Sequence, residues 1–127
     1  MRLNAGIITD KIKETKMFYT EKLGFKIVWE ADWFILLATP NGQDTISFLQ
    51  PNHPTQEVNV FREAYNGKGI YLTIEVENVD EYFEKIKSVG LNPILEIRNE
   101  SWGDRHFAIL DPNNIGIDFV THKAPAL

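Results

Sequence analysis

The sequence predicts an α+β fold of two tandem βαβββ modules, and three observations carry that prediction. Stretches of strand and helix character run through one series and then restart. A local pattern recurs: "FILLATPNG" (34–42) overlays "HFAILDPNN" (106–114) at a constant offset, and "ISF" (46–48) overlays "IDF" (117–119) after a one-residue slip in the turn. Two glycines, Gly24 and Gly90, stand at matching places, each able to end a helix in a left-handed cap.

"LNAGII" (3–8) reads as a strand. "KIKETKMFYTEKL" (11–23) reads as a helix with Ile12, Phe18, Tyr19 and Leu23 near one face. "FKIVWE" (25–30) and "WFILLA" (33–38) are strands on either side of a tight connection at Ala31-Asp32. "PNGQD" is a turn, because Asn-Gly accepts positive φ cheaply, and "TISFLQ" (45–50) closes the hairpin. A connector, 51–68, opens with two prolines, and a short helix is expected within "QEVNVFREAY". The second series is "GIYLTIEV" (69–76), the helix "VDEYFEKIKSVG" (79–90), and the strands "NPILEIRNE", "RHFAIL" and "GIDFVTH". In that helix Val79, Tyr82, Phe83, Ile86 and Val89 follow the helical period, with Asn78 as N-cap and Glu81 three residues on. The expected organisation is one domain, 1–127, with module 1 at 1–50, the connector at 51–68 and module 2 at 69–122.

Composition narrows the function classes. The 127 residues are 43% hydrophobic and 24% charged, an ordinary globular mix for one domain. There is no cysteine, which excludes disulfides, thiol nucleophiles and Cys-rich zinc sites. The net charge of −5 argues against a nucleic-acid partner. No apolar run is long enough for a membrane span and the N-terminus does not read as a signal peptide, so a cytoplasmic location away from membranes is expected.

Strand alternation sorts the side chains between two faces. Ile117 and Phe119 should pack under a helix, leaving Asp118 and Val120 opposite; Ser47 and Leu49 match them in the first module. The same parity puts Asn4, Phe34, Tyr71, Thr73 and His106 on the helix-free faces. Apolar walls with a few polar groups suit a small-molecule ligand. His106 beside Asp118 is either an acid–base pair or a structural hydrogen bond. Trp29 and Trp33 suit a ligand wall or packing, Trp102 a rim, and Arg105 is expected to pair with Asp104 or Glu100 rather than to anchor a ligand anion.

The stretches "FYTEKLGFKIVWE" (18–30), "VENVDEYFEKIKSVG" (76–90) and "WGDRHFAILDPNNIGIDF" (102–119) resemble the vicinal oxygen chelate superfamily, the glyoxalase, bleomycin-resistance and extradiol dioxygenase group. The resemblance implies curved mixed sheets, a ligand cup made by paired concave faces, and a homodimer. Its metal-dependent members hold a divalent ion with His and Glu side chains from the first and last strands of each module. The matching positions here are Asn4, Ser47, Tyr71 and Asp118, of which only Asp118 is a good ligand type. No metal or other cofactor is therefore expected. The resemblance is nearest to metal-free bleomycin-resistance-like binding proteins, with Asn4, Phe34, Ser47, Tyr71, Trp102, His106 and Asp118 as ligand-binding candidates. The alternative is a glyoxalase-like lyase or isomerase, or a dioxygenase, with an atypical metal site and with His106 and Asp118 as catalytic candidates.

Overall fold

The computed structural model describes residues 1–123; residues 124–127, which the single-domain expectation included, lie outside the described residues. Two compact units are present, one spanning Met1–Asn66 and the other beginning at Gly67. Each is built around its own four-stranded mixed sheet, in the orders β1-β4-β3-β2 and β5-β8-β7-β6.

The first unit contains β1 (Asn4–Ile8), α1 (Ile12–Met17), β2 (Lys26–Ala31), β3 (Phe34–Ala38) and β4 (Thr45–Leu49). β1 runs parallel to β4, and β3 is antiparallel to both β4 and β2. One face of the sheet is closed by the helical segment: Tyr19, Leu23, Ile35, Leu37, Ile46 and Phe48 are buried, and the Tyr19 ring lies 5.2 Å from Phe48. The predicted helix over 11–23 changes character after Met17, becoming a π-helical turn over Phe18–Lys22. There the Thr20 hydroxyl donates to the Lys16 carbonyl at 2.7 Å, a local competitor for the helical ladder. Gly24 then ends the segment at φ 74°.

The connector is less helical than expected: within "QEVNVFREAY" only a 3₁₀ turn, Asn59–Phe61, forms. Val58, Val60 and Phe61 there are exposed, so no apolar stripe is buried to support a longer helix.

The second unit repeats the pattern with β5 (Tyr71–Glu75), α2 (Val79–Ser88), β6 (Leu95–Asn99), β7 (Arg105–Leu110) and β8 (Gly116–Thr121). Asn78 Oδ1 accepts the Glu81 N–H at 3.1 Å, the predicted cap, and Gly90 ends the helix at φ 85°. Val79, Phe83 and Ile86 bury one helix face against Phe107, Ile109, Ile117 and Phe119. The duplication extends to register. β1 pairs with β4 as Asn4↔Thr45 and Gly6↔Ser47, while β5 pairs with β8 as Tyr71↔Gly116 and Thr73↔Asp118. Asn4 and Tyr71 are thus equivalent, as are Ser47 and Asp118. The turns match too. Thr39 Oγ1 accepts the Asp44 N–H in one, and Asp111 Oδ1 accepts the Asn113 and Ile115 N–H groups in the other. Among the described residues no helix is long and apolar enough to cross a membrane.

Candidate functional site

In each unit the sheet face away from the helix carries the candidate side chains, as alternation requires. On the first, Asn4 Nδ2 donates to Ser47 Oγ at 2.9 Å across the parallel β1–β4 pair. Phe34 lies 5.7 Å from both Trp29 and Trp33, ring centroid to centroid. A register shift between Ile27 and Trp29 sets Trp29 opposite Leu36, on this same face, where it is 51% exposed. His53, from the connector, stacks on Trp33 at 4.2 Å and 13°. Of the aromatic residues singled out from the sequence, Trp29, Trp33 and Phe34 therefore form one cluster. Phe61 stands exposed on the 3₁₀ turn, and Tyr71 and Trp102 belong to the second unit.

The second unit's face is polar and charged. His106 Nδ1 lies 2.7 Å from Asp118 Oδ1, and His106 Nε2 lies 2.7 Å from Glu100 Oε2. The sequence pointed to the His106–Asp118 pair, and these two residues are indeed in contact. Glu100 was missed as a partner. Arg98, the cross-strand partner of His106, donates from Nε to the same Glu100 oxygen at 2.9 Å. Burial alone pushes the His106 pKa down, but the bonds to Glu100 and Asp118 outweigh it and hold it above the ordinary value. The His106 bond in turn holds Glu100 below the usual carboxylate range.

A second imidazole repeats this arrangement. His122 Nδ1 lies 2.8 Å from Asp104 Oδ1, and Nε2 lies 2.6 Å from Glu75 Oε1. The bond to Asp104 raises the His122 pKa, and the bond to His122 lowers that of Asp104. The sequence reading did not single out His122. Alternation could have found it, since His122 follows Asp118 and Val120 on one parity, as Glu75 follows Tyr71 and Thr73.

Between Glu100 and Asp104 the chain turns tightly, with Gly103 at φ 105°. Trp102, on that turn, is 56% exposed; its indole N–H donates to Asp104 Oδ2 at 3.1 Å, and its ring is 6.5 Å from that of His106. Tyr71 is 73% exposed on β5. Arg105 departs from expectation. It pairs with neither Asp104 nor Glu100 but with both carboxylate oxygens of Asp80, at 3.0 and 2.7 Å. The cause is the same alternation: Arg105 shares the parity of Phe107, on the helix side, where Asp80 opens α2.

The donors at the four positions that metal-dependent relatives use do not fit a divalent ion. Asn4 and Ser47 are neutral and bonded to each other, Tyr71 is a phenol, and Asp118 already accepts from His106. Glu100 and Asp118 approach opposite nitrogens of one ring, so the three groups do not converge on a point. Among the described residues no group of three or more His, Asp or Glu side chains could hold a metal ion.

The family model described as "Glyoxalase/Bleomycin resistance protein/Dioxygenase superfamily" matches residues 3–119. A bleomycin resistance protein of Geobacillus stearothermophilus is 32% identical over 120 residues, covering 85% of this chain and 86% of that protein. Among solved structures, TnmS3, an antibiotic binding protein from Streptomyces sp. CB03234, superposes with a TM-score of 0.75 at 16% identity, covering 97% of this chain and 96% of that one. Lactoylglutathione lyase from Agrobacterium tumefaciens superposes with a TM-score of 0.77 at 14% identity, covering 95% and 92%. At such identities the two structures establish the fold alone; one is a binding protein and the other an enzyme.

Proposed function

Because the chain belongs to the glyoxalase/bleomycin resistance protein/dioxygenase superfamily, we propose that it binds and sequesters a small molecule, an antibiotic of the bleomycin type, without a metal. The carrying observation is that both ring nitrogens of His106 are engaged by carboxylates. His106, the acid–base candidate that the sequence singled out beside Asp118, is committed to internal bonds on both nitrogens. The 32% identity to a bleomycin resistance protein supports the same reading.

In this reading the first module offers the ligand Phe34 and the Asn4–Ser47 pair, flanked by Trp29 and Trp33. The second offers Tyr71, Trp102, His106 and Asp118. Aromatic faces supply contact area for planar or cationic groups, and the polar pairs fix orientation. The two modules act together as one domain, as a homodimer, in the cytoplasm.

A thermal-shift series tests this, with a bleomycin-type glycopeptide, a glutathione conjugate and a catechol, each with EDTA and with added divalent metal. The glycopeptide is expected to raise Tm equally in both conditions; at 100 times Kd a ligand adds about 2.7 kcal/mol. Light scattering on the same samples reports the dimer. Stabilisation that depends on metal, or turnover of the conjugate or the catechol, overturns the reading. It then favours the lyase, isomerase or dioxygenase alternative, for which the His106–Asp118 contact speaks.

A further inference from the structure

The turn from Glu100 to Asp104 is held at both ends by imidazoles. His122, just past β8, takes Asp104 and reaches β5 through Glu75. His106, on β7, takes Glu100 and reaches β8 through Asp118. A neutral imidazole carries one N–H and can donate to only one carboxylate; its other nitrogen presents a lone pair. With carboxylate oxygens 2.8 and 2.6 Å from the two nitrogens of His122, and at 2.7 Å on both sides of His106, each ring needs two N–H groups. These double contacts are the ones an imidazolium ring makes, with a carboxylate facing each nitrogen.

We propose that the Glu100–Asp104 turn is a proton-held clasp, closed by one proton on His122 and one on His106, which fixes Trp102 over the helix-free face of the second module and lets it go when those protons leave. Loss of either proton sets a ring lone pair against a carboxylate oxygen, and one of the two bonds breaks. At His122 the competing partners are Asp104, on the turn, and Glu75, on β5. At His106 they are Glu100, on the turn, and Asp118, on β8; Arg98, on β6, remains on Glu100, and the Asp104 charge also acts on this ring. Trp102 follows because its indole N–H is bonded to Asp104, the carboxylate that His122 holds. On the binding reading, a ligand resting on Trp102 is then held less tightly at higher pH; that consequence rests on that reading, whereas the clasp stands without it.

An NMR titration of the ligand-free full chain tests the clasp, following imidazole and indole ¹⁵N resonances from about pH 5 to 9. His122 and His106 are expected to stay doubly protonated past the ordinary midpoint of about 6.5. The Trp102 indole resonance should move with the same midpoints, while those of Trp29 and Trp33 stay still. In His122→Gln, an exposed substitution that leaves the core intact, the component of the Trp102 shift that tracks His122 is lost. A Trp102 resonance that ignores pH overturns the clasp, as does a neutral tautomer for both rings at pH 6, or an unchanged Trp102 titration in the variant. Because no ligand is present, failure here is distinct from failure of the binding reading.

Discussion

The two modules share one backbone plan and differ in the chemistry of one face. On the helix side the equivalent residues are alike: Ile46 and Phe48 in the first module correspond to Ile117 and Phe119 in the second, all buried. On the other face the equivalents diverge. Phe34 stands where His106 stands, Ser47 where Asp118 stands, and Asn4 where Tyr71 stands. The first module carries a neutral pair beside an aromatic cluster, and the second a string of carboxylates and imidazoles. Duplication thus preserved what the core needs and released what it does not. The helix-side positions must fill a close-packed space, whereas the opposite face is constrained only by whatever rests on it.

The equivalence of the two cores can be broken directly. Phe119 is fully buried, with Phe107 at 5.0 Å and Tyr82 at 4.9 Å; Phe48 is fully buried against Tyr19. Phe119→Ala and Phe48→Ala should each cost about 3–5 kcal/mol, read from urea unfolding. A cost below about 1 kcal/mol at either site would mean that the two positions are not structural equivalents.

A smaller effect separates the open faces. His106→Phe installs the first module's residue in the second and leaves Glu100 and Asp118 without their shared donor. The variant should be less stable, and the deficit should depend on pH. The folded-state pKa of His106 is raised, so its contribution is fully present below the unfolded value of about 6.5 and is lost as pH rises through the folded value. The stability gap between wild type and variant, followed by urea unfolding, is therefore widest near pH 6 and narrows in alkali. A gap that widens with pH would reverse the assigned protonation state.

How much of this was legible depends on what each feature rests on. The α2 helix, its Asn78 cap and its Gly90 stop are local, and a periodic sequence displays them. The face assignments of Ser47, His106 and Asp118 follow from strand parity alone. The connector helix was overcalled because propensity without a buried stripe does not sustain a helix, as exposed Val60 and Phe61 illustrate. The π-helical turn at Phe18–Lys22 was invisible because it is a local change of the backbone ladder inside one helical segment, which the apolar period does not register. Glu100 and His122 were passed over for a different reason. Charged residues in a loop or near a chain end read as solvated, and only the hairpin's closure and the β5–β8 pairing bring them to their partners. Arg105 was given the wrong partner even though parity held the right one. It lies on the Phe107 side, so its carboxylate had to come from the helix, and Asp80 supplies it.

The weakest contact gives the sharpest control. Ser47→Ala removes the hydroxyl that accepts from Asn4 Nδ2 at 2.9 Å. Ser47 is buried but Asn4 is exposed, so water replaces the lost partner on one side. The expected cost lies near the lower end of the usual range for one hydrogen bond, about 0.5–1.5 kcal/mol. Neither group titrates in the accessible range, so this cost should stay flat over the same pH interval in which the His106→Phe deficit changes. Urea midpoints for both variants across that interval make the comparison. If the Ser47→Ala cost tracked pH as the His106→Phe cost does, the two faces would share a common charged network. The division between a neutral first face and a proton-dependent second one would then be wrong.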